Sequence, residues 1–321
     1  MSKATKIWLI IAALLILIGC IILGGVMVML KWDFTKLSTT KYETNHYEIN
    51  ENYTNLSIVT NTADVVLVPS ENASCSVVCH EQSNVKHLVT AKDGTLVIEV
   101  VDSRKWYEHL GIHFGTPKIT VYIPRGEYGE LSISSDTGNV EIQKEFRFES
   151  MDISVNTGDV TSCASASKLI KIKTSTGDIG VDSLSAGALD LSVTTGKVTV
   201  SSVSCEGDIS VGVSTGKSYL TDVTCKSLTT TGNTGGISLN NVIAAEKISI
   251  KRTTGNVKLG GSDAAAVFVE TDTGNVTGTL LSEKVFIARS STGKVDVPKT
   301  STGGRCEITT GTGNIKLEIQ N

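Results

Sequence analysis

One segment decides the fold, and it reads Ile170-Lys171-Ile172-Lys173-Thr174-Ser175-Thr176-Gly177-Asp178-Ile179-Gly180-Val181. Apolar and polar residues alternate on both sides of the Thr-Gly pair, which is typical of two β-strands joined by a tight turn. Glycine suits this turn because it adopts positive φ without a Cβ clash. Asp178, which follows it, is of a type that also accepts turn geometry. The segment therefore predicts a strand, a turn and a second, short strand.

The same Thr-Gly pair recurs ten times along the chain, at intervals of 19 or 20 residues. A period this constant predicts one small structural unit stacked on copies of itself. The repeat glycines are Gly138, Gly158, Gly177, Gly196, Gly216, Gly235, Gly255, Gly274, Gly293 and Gly313.

Two architectures fit this repeat. In a parallel β-solenoid each unit is one coil, and equivalent residues stack about 4.8 Å apart. In an antiparallel β-meander each Thr-Gly pair is a hairpin tip, for which Gly-Asn and Gly-Asp are suitable turns. We expect an all-β fold with a parallel solenoid of about ten coils of 19–20 residues. Ten hairpins would need about twenty strands in one open sheet, which is rare. The handedness of the solenoid is left open.

The 321 residues divide into five segments by composition. Residues 7–30 carry no charge and are long enough to cross about 30 Å of hydrocarbon as a helix. Irregular strand signals in residues 42–130 predict an N-terminal β domain or cap, in which Asn61-Thr62-Ala63-Asp64 resembles a degenerate repeat turn. The predicted segments are a cytoplasmic tail (1–6), a transmembrane anchor (7–30), a juxtamembrane linker (31–41), the cap (42–130) and the Thr-Gly solenoid (131–321).

The apolar segment predicts an uncleaved single-pass anchor in the cell membrane, with a cytoplasmic N-terminus and the bulk of the chain outside. Two alternatives stay open. A cleaved signal peptide is one, although its apolar region would be shorter, about 7–15 residues. The other is a lipoprotein, because Leu17-Ile18-Gly19-Cys20 resembles a bacterial lipobox in which the cysteine is lipidated. Against it, the apolar run continues to Leu30.

The sequence contains no residue set with the spacing of an active site, so we expect no catalytic, cofactor-binding or metal-binding residues and no cofactor. A formal charge of −4 without a basic stripe argues against nucleic acid as a partner. One aromatic-rich segment is a candidate binding loop, although its rings could instead cover the end of the β core. Its residues are Trp106, Tyr107, His109, His113 and Phe114.

Turn carboxylates such as Asp159 and Asp178 could bind calcium. Because Asn, Lys and Gly interrupt their row, we expect them to be solvated turn residues.

Cys205 and Cys225 each follow a repeat glycine by nine residues. Stacking would bring their Cα atoms to about 4.8 Å, near the lower edge of disulfide geometry, and whether they are bridged is left open. The last strand candidate, Ile315–Ile319, is expected to form an uncovered edge that can pair with another chain.

With the anchor and the array in place, the chain resembles the putative-adhesin family of β-strand-repeat, single-pass membrane proteins of Gram-positive bacteria. The features that carry the resemblance are the single anchor, the segment Trp32-Asp33-Phe34 and the repeated (Ser/Thr/Asp)-Thr-Gly-(Asn/Asp/Lys)-(Val/Ile). The resemblance implies a surface adhesin or an envelope-stress-associated protein, and it implies no catalytic residues.

We expect a non-enzymatic, membrane-anchored cell-surface protein, an adhesin or envelope scaffold. Its repeat faces would bind an envelope polymer, a surface protein or a second copy of the chain. A second hypothesis is an accessory protein of an envelope-stress response. A third is a polysaccharide-acting β-helix enzyme, which would need charged residues clustered along one face. Stacked Ser and Thr faces are generic, so the sequence identifies neither the ligand nor the oligomeric state.

Overall fold

The computed structural model describes residues 2–33, 41–72, 74–106 and 115–320. These residues form one α-helix and twenty-four β-strands. In chain order the elements are α1 (Lys3–Met29), β1 (Tyr42–Ile49), β2 (Asn55–Thr60), β3 (Asp64–Pro69), β4 (Cys75–Gln82), β5 (Val85–Lys92), β6 (Thr95–Asp102), β7 (Lys118–Ile123), β8 (Gly126–Thr137), β9 (Val140–Ile142), β10 (Phe146–Thr157), β11 (Val160–Ser162), β12 (Ser165–Thr176), β13 (Ile179–Asp182), β14 (Ser185–Thr195), β15 (Val198–Cys205), β16 (Asp208–Thr215), β17 (Ser218–Thr234), β18 (Ile237–Thr254), β19 (Val257–Thr273), β20 (Val276–Leu280), β21 (Lys284–Ser290), β22 (Val295–Asp296), β23 (Gly304–Thr312) and β24 (Ile315–Ile319).

The helix α1 covers the apolar segment. Ser2 caps its N-terminus, where the hydroxyl accepts the N–H of Thr5 at 3.2 Å. Most of its apolar side chains are exposed, as they would be in contact with lipid. Its 27 residues are long and apolar enough to cross a membrane, a criterion that a signal sequence also meets. The helix runs through Cys20 without a break.

Each repeat forms one coil, and neighbouring coils pair in parallel. Ile153 on β10, for example, lies between Ile133 on β8 and Ile172 on β12. The long strand before each turn and the short strand after it both send their alternate apolar side chains into one continuous buried core. The predicted parallel solenoid is confirmed, and the alternative antiparallel meander is wrong.

The repeat glycines form a column along the solenoid. Gly216 has φ 141°, in the left-handed region that side chains disfavour. An added Cβ on Gly216 would lie 1.7 Å from the carbonyl oxygen of Gly196 in the preceding coil. At each of the other repeat glycines an added Cβ would lie 2.4 Å or less from a backbone oxygen of the neighbouring coil. The turn therefore excludes a side chain by its backbone conformation and by the close approach of two coils.

The column begins before the Thr-Gly array. β2 pairs in parallel with β8 and β3 with β9, so residues 55–69 form a coil that is in register with the repeats. This agrees with the interpretation of residues 61–64 as a degenerate turn. β6 and β7 form a further parallel layer beyond β2 and β3. Antiparallel strands β1, β4 and β5 then close this end, and we call β1 and β4–β7 the N-terminal cap. The predicted domain boundary at residue 131 stays a prediction.

The last two repeats stack in the reverse of their chain order. β23 lies between β19 and β21, and β24 lies between β20 and β22. The prediction that Ile315–Ile319 forms the uncovered final edge is wrong at its first two residues, because β24 pairs with β20 along its length and with β22 at Ile315 and Lys316. The returning chain passes closely over its neighbours at Gly303, where φ is 97° and an added Cβ would lie 1.8 Å from the Glu283 carbonyl oxygen. Where a glycine lets the chain pass this closely over a neighbouring coil, coils can stack in an order that differs from their order in the sequence.

The outermost layer at this end is the coil of β21 and β22. β22 has only two residues, and the ammonium of Lys284 on β21 is buried 2.6 Å from the carboxylate of Asp263. Short edge strands and inward-pointing charges disfavour pairing with another chain. This coil therefore closes the C-terminal end of the stack, and self-association through it stays a prediction.

A second charged side chain is buried within the coils of the array. Arg252 on β18 donates from Nη1 to the Val213 carbonyl at 2.6 Å and from Nη2 to the Ser218 hydroxyl at 3.1 Å, two coils away. A Cβ on Gly232, in the coil between them, would lie 1.8 Å from Nη1. Burial lowers the pKa of Arg252. This single side chain connects three consecutive coils.

We expect the substitution Gly216→Ala to destabilise the protein by more than about 1 kcal/mol, because alanine disfavours positive φ and its Cβ would collide with the Gly196 carbonyl. Urea unfolding of the wild type and the variant measures the effect. The control is Gly180→Ala in β13, where the nearest atom to an added Cβ is Thr161 Oγ1 at 3.8 Å. We expect this control to be neutral or slightly stabilising, and equal losses for both variants would contradict the close-stacking account.

Candidate functional site

The outward side of the long strands is a flat, hydroxyl-rich surface, which we call the long-strand face. It consists of the residues six, four and two positions before each repeat glycine, whose side chains alternate with the buried ones. Equivalent side chains of neighbouring coils lie about one strand spacing apart, about 4.8 Å, and so form ladders along the stack. Its hydroxyl residues include Ser132, Ser134, Ser154, Ser192, Ser210, Thr229, Thr231, Ser249 and Thr309.

Two ion pairs join charged residues of this face in neighbouring coils. Lys171 Nζ lies 2.9 Å from a carboxylate oxygen of Asp152, and Lys251 Nζ lies 3.0 Å from one of Glu270. Exposed pairs of this kind contribute little to stability, about 0–1 kcal/mol each. They do offset opposite charges locally. The face therefore offers hydrogen-bonding groups with little net charge at these positions.

The residues that follow the repeat glycines form a second ladder. The backbone N–H of Asp159 donates to Asn139 Oδ1 at 2.9 Å, and that of Asp178 donates to Asp159 Oδ1 at 2.7 Å. The N–H of Lys197 donates in turn to Asp178 Oδ1 at 2.7 Å. These bonds explain the frequency of Asn and Asp after the glycine, because a side-chain oxygen satisfies a backbone donor of the next coil. Asp159 and Asp178 therefore help to hold the turns of neighbouring coils together.

A groove of about 670 Å³ follows the corner of the coils from β8 to β15. The ring of Tyr128 and the charged side chains of Arg147 and Glu149 line its first part, and the hydroxyls of Ser165 and Ser185 line the next coils. A concave site that combines an aromatic ring, hydroxyls and a few charges suits a polar ligand with apolar patches.

The predicted binding loop is described only at its first residue. The side chain of Trp106 is 79% exposed. Tyr107, His109, His113 and Phe114 lie outside the described residues. The loop therefore stays a prediction.

The two cysteines at equivalent positions are free thiols in the structure. Cys205 and Cys225 are both buried, and their strands pair in register at Ser204 and Thr224. Burial raises the pKa of the Cys225 thiol to about 12, so it stays protonated at neutral pH.

Sequence reasoning missed the buried charged residues Arg252 and Lys284. It also missed a cluster of Cys79, Glu81 and His87 in the N-terminal cap. The sequence could have indicated part of this cluster. Cys79 and Glu81 lie at inward-facing positions of β4, where apolar residues are usual. Nothing in the spacing showed that His87 would face them from β5.

A scan of family models matches this chain to the Toastrack DUF4097 description over residues 53–211 and 206–321. The chain belongs to the Toastrack DUF4097 family. The expected family of adhesin-like repeat proteins is thereby confirmed, and the Gram-positive source stays a prediction. No curated protein matches this Toastrack chain.

Several solved structures are similar to this Toastrack chain. One, described as a "putative adhesin" from Parabacteroides distasonis, is 12% identical with a TM-score of 0.48, over 87% of this chain and 98% of that one. Another, from Bacteroides fragilis and of the same description, is 15% identical with a TM-score of 0.42, over 87% and 97%. A third, described as a lipid-binding protein from Parabacteroides distasonis, is 13% identical with a TM-score of 0.47, over 88% and 98%. At these identities the likeness concerns the fold alone.

The turn ladder can be tested at Asp178, which accepts the N–H of Lys197 and lies 3.1 Å from its ammonium. We expect Asp178→Ala to destabilise the protein by about 1 kcal/mol, since it leaves a turn N–H without its acceptor. Asp178→Asn keeps the accepting oxygen and should retain most of the stability. Chemical denaturation of both variants makes the comparison. A loss as large in the Asn variant as in the Ala variant would assign the effect to the ion pair and not to the ladder.

Proposed function

We propose that this Toastrack protein is a non-enzymatic surface protein of the adhesin type, which holds a rod-like solenoid outside the cell membrane and binds through the long-strand face. The observation that carries this proposal is the in-register repetition of exposed hydroxyls over the stacked coils. Such a surface offers many weak, equivalent contacts, which add up when the ligand is itself a repeating polymer. The ligand class that fits is a neutral, hydroxyl-rich envelope polymer.

Binding, and not catalysis, agrees best with the charges of this face. Asp152 and Glu270 are each engaged by a lysine of the neighbouring coil. A polysaccharide-cleaving enzyme would instead need two carboxylates facing a common substrate position. The groove along the corner adds a concave surface to the same coils, and we propose that it contributes to polymer binding.

The α1 helix supports attachment to the membrane as a single-pass anchor, with the N-terminus in the cytoplasm. The lipoprotein alternative requires cleavage before Cys20, in the middle of a helix that continues to Met29. An uncleaved anchor keeps the whole apolar length that a span needs. The bulk of the chain would then lie outside the cell, where solenoid faces can meet envelope components.

We expect the substitution Cys20→Ser to leave the protein in the membrane fraction at its full length, because the proposed anchor is the helix and not a lipid. Cell fractionation and the measured mass of the purified chain check this outcome. Release of the variant into the soluble fraction, or a wild-type mass that corresponds to a chain beginning at Cys20, would establish the lipoprotein alternative.

Binding through the long-strand face can be tested by placing large, charged side chains on it. We expect the double substitution Ser154→Arg and Ser192→Arg to weaken binding of the full chain in nanodiscs to isolated envelope polymer at least about tenfold, which corresponds to about 1.4 kcal/mol. Both serines are exposed, so the core is untouched. The matched control, Thr161→Arg and Thr199→Arg, places the same charges on the same two coils but on the short-strand side.

The comparison also separates the two main hypotheses. Loss of binding in the first variant alone supports adhesion through the long-strand face. Unchanged binding in both variants would contradict it. If an envelope-stress response then depends on the cap and the anchor while both variants signal normally, the accessory-protein hypothesis takes its place. Circular dichroism shows whether each variant keeps its β content.

A further inference from the structure

The N-terminal cap contains a compact cluster of three metal-ligand side chains. The sulfur of Cys79, a carboxylate oxygen of Glu81 and a ring nitrogen of His87 lie within 4.8 Å of one another. The three residues are 0%, 0% and 4% exposed. Within the described residues this is the one group of three such side chains that meets these distances.

The strands of the cap place these side chains by simple periodicity. Cys79 and Glu81 are two residues apart on β4, so they point to the same side of the sheet. The tight connection from β4 to β5 then returns the chain so that His87 faces Glu81. Both the backbone N–H and the Nδ1 of His87 lie 2.7 Å from Glu81 Oε2.

Neighbouring side chains hold Glu81 and His87 in place by hydrogen bonds. The amide of Asn45 on β1 donates to Glu81 Oε1 at 2.7 Å, and the hydroxyl of Thr60 on β2 lies 3.0 Å from His87 Nε2. Carboxylates and imidazoles that bind metals are usually oriented by such outer partners.

The charges of the cluster match a divalent ion. A thiolate and a carboxylate together carry two negative charges, and a neutral imidazole adds none. A divalent cation therefore leaves the buried site with no net charge, which is the condition under which burial of ions is tolerated. A monovalent ion would leave one uncompensated negative charge. Without a metal, burial and the nearby Glu81 raise the pKa of the Cys79 thiol to about 12, so the sulfur keeps its proton.

We propose that Cys79, Glu81 and His87 form a binding site for a divalent transition metal of the zinc class, with a water molecule as the fourth ligand. Sulfur, nitrogen and oxygen donors together select this class over calcium and magnesium, which prefer oxygen alone. Tetrahedral zinc geometry requires about 3.4–3.6 Å between neighbouring ligand atoms. From the present separations the side chains need to move by about one ångström, within the reach of rotamer adjustments.

Metal binding must release a proton from the sulfur. The metal-free cluster holds a proton on the Cys79 thiol. Coordination forms a bond from the metal to that sulfur, and the proton leaves to solvent. We therefore expect at least one proton to be released for each metal ion bound.

The site would act as a clamp in the cap. Its ligands come from β4 and β5, and its outer partners come from β1 and β2. Metal binding to the folded state alone stabilises that state. We therefore expect metal to protect the end of the solenoid that follows the helix. This inference is independent of the proposed adhesion function.

The test uses the full chain in nanodiscs after removal of metal with a chelator, and cobalt(II) serves as the probe. We expect binding of one equivalent with the near-ultraviolet charge-transfer absorption that a thiolate ligand gives, and displacement of cobalt by zinc. Cys79→Ala should abolish this absorption. The control Cys75→Ala removes another buried thiol of the same strand, outside the cluster, and should retain it.

Two further measurements keep the result decisive if Cys79→Ala folds poorly. Glu81→Gln preserves the side-chain shape but removes a negative charge, so it should bind cobalt more than about tenfold more weakly. Calorimetry of zinc binding in two buffers of different ionisation enthalpy should report at least about one proton released per metal. Absence of a thiolate absorption in the wild type, its persistence in Cys79→Ala, or proton release near zero would each overturn the proposal.

Discussion

The whole stack depends on one close contact, in which the glycine of each coil lies directly against the backbone carbonyl of the next. An added Cβ on Gly158, for example, would lie 2.1 Å from the Gly138 carbonyl oxygen. A residue can approach the carbonyl this closely only if it carries no side chain itself. Because this position must be glycine in every coil, any variation in repeat length has to be absorbed elsewhere. The alternation between 19 and 20 residues appears at the opposite corner, where the pairing of β10 with β12 shifts after Phe148.

The sequence was most informative where local rules and the repeat agree. Alternation around Thr-Gly predicts the coil, and its constant period predicts parallel stacking. Neither rule concerns the order in which coils stack, so the exchange of the last two coils was not predictable from them. Ser218, two residues after its repeat glycine, and Thr230, five before its own, are polar where the other repeats have apolar residues. Only the structure shows that Ser218 is bonded to Arg252 from two coils away. The Thr230 hydroxyl and Arg252 Nε are buried without a partner among the described residues.

Of the candidate binding surfaces, some could be predicted from the sequence and others could not. Outward hydroxyls follow directly from alternation, so the long-strand face could be expected from the sequence. The groove and the cluster of Cys79, Glu81 and His87 depend on which side chains meet across a corner or across a hairpin. Such contacts are long-range, and a periodic pattern carries no information about them. The ion pairs between coils are an intermediate case, because residues 19 apart, such as Lys171 and Asp152, become neighbours once the stacking is known.

The proposed adhesion and the proposed metal site meet at β1. If α1 is anchored in the membrane, any load on the solenoid reaches the helix through the chain that enters β1, and among the described strands β1 pairs with β4 alone. At the end of β1 that would carry this load, Tyr42 pairs with Gln82. Asn45, three residues further along β1, donates a hydrogen bond to Glu81. Pulling on Tyr42 would therefore separate β1 from β4 beginning beside the buried cluster. A metal that fixes Glu81 and His87 would strengthen the cap at the point where an adhesin anchored in this way is first strained.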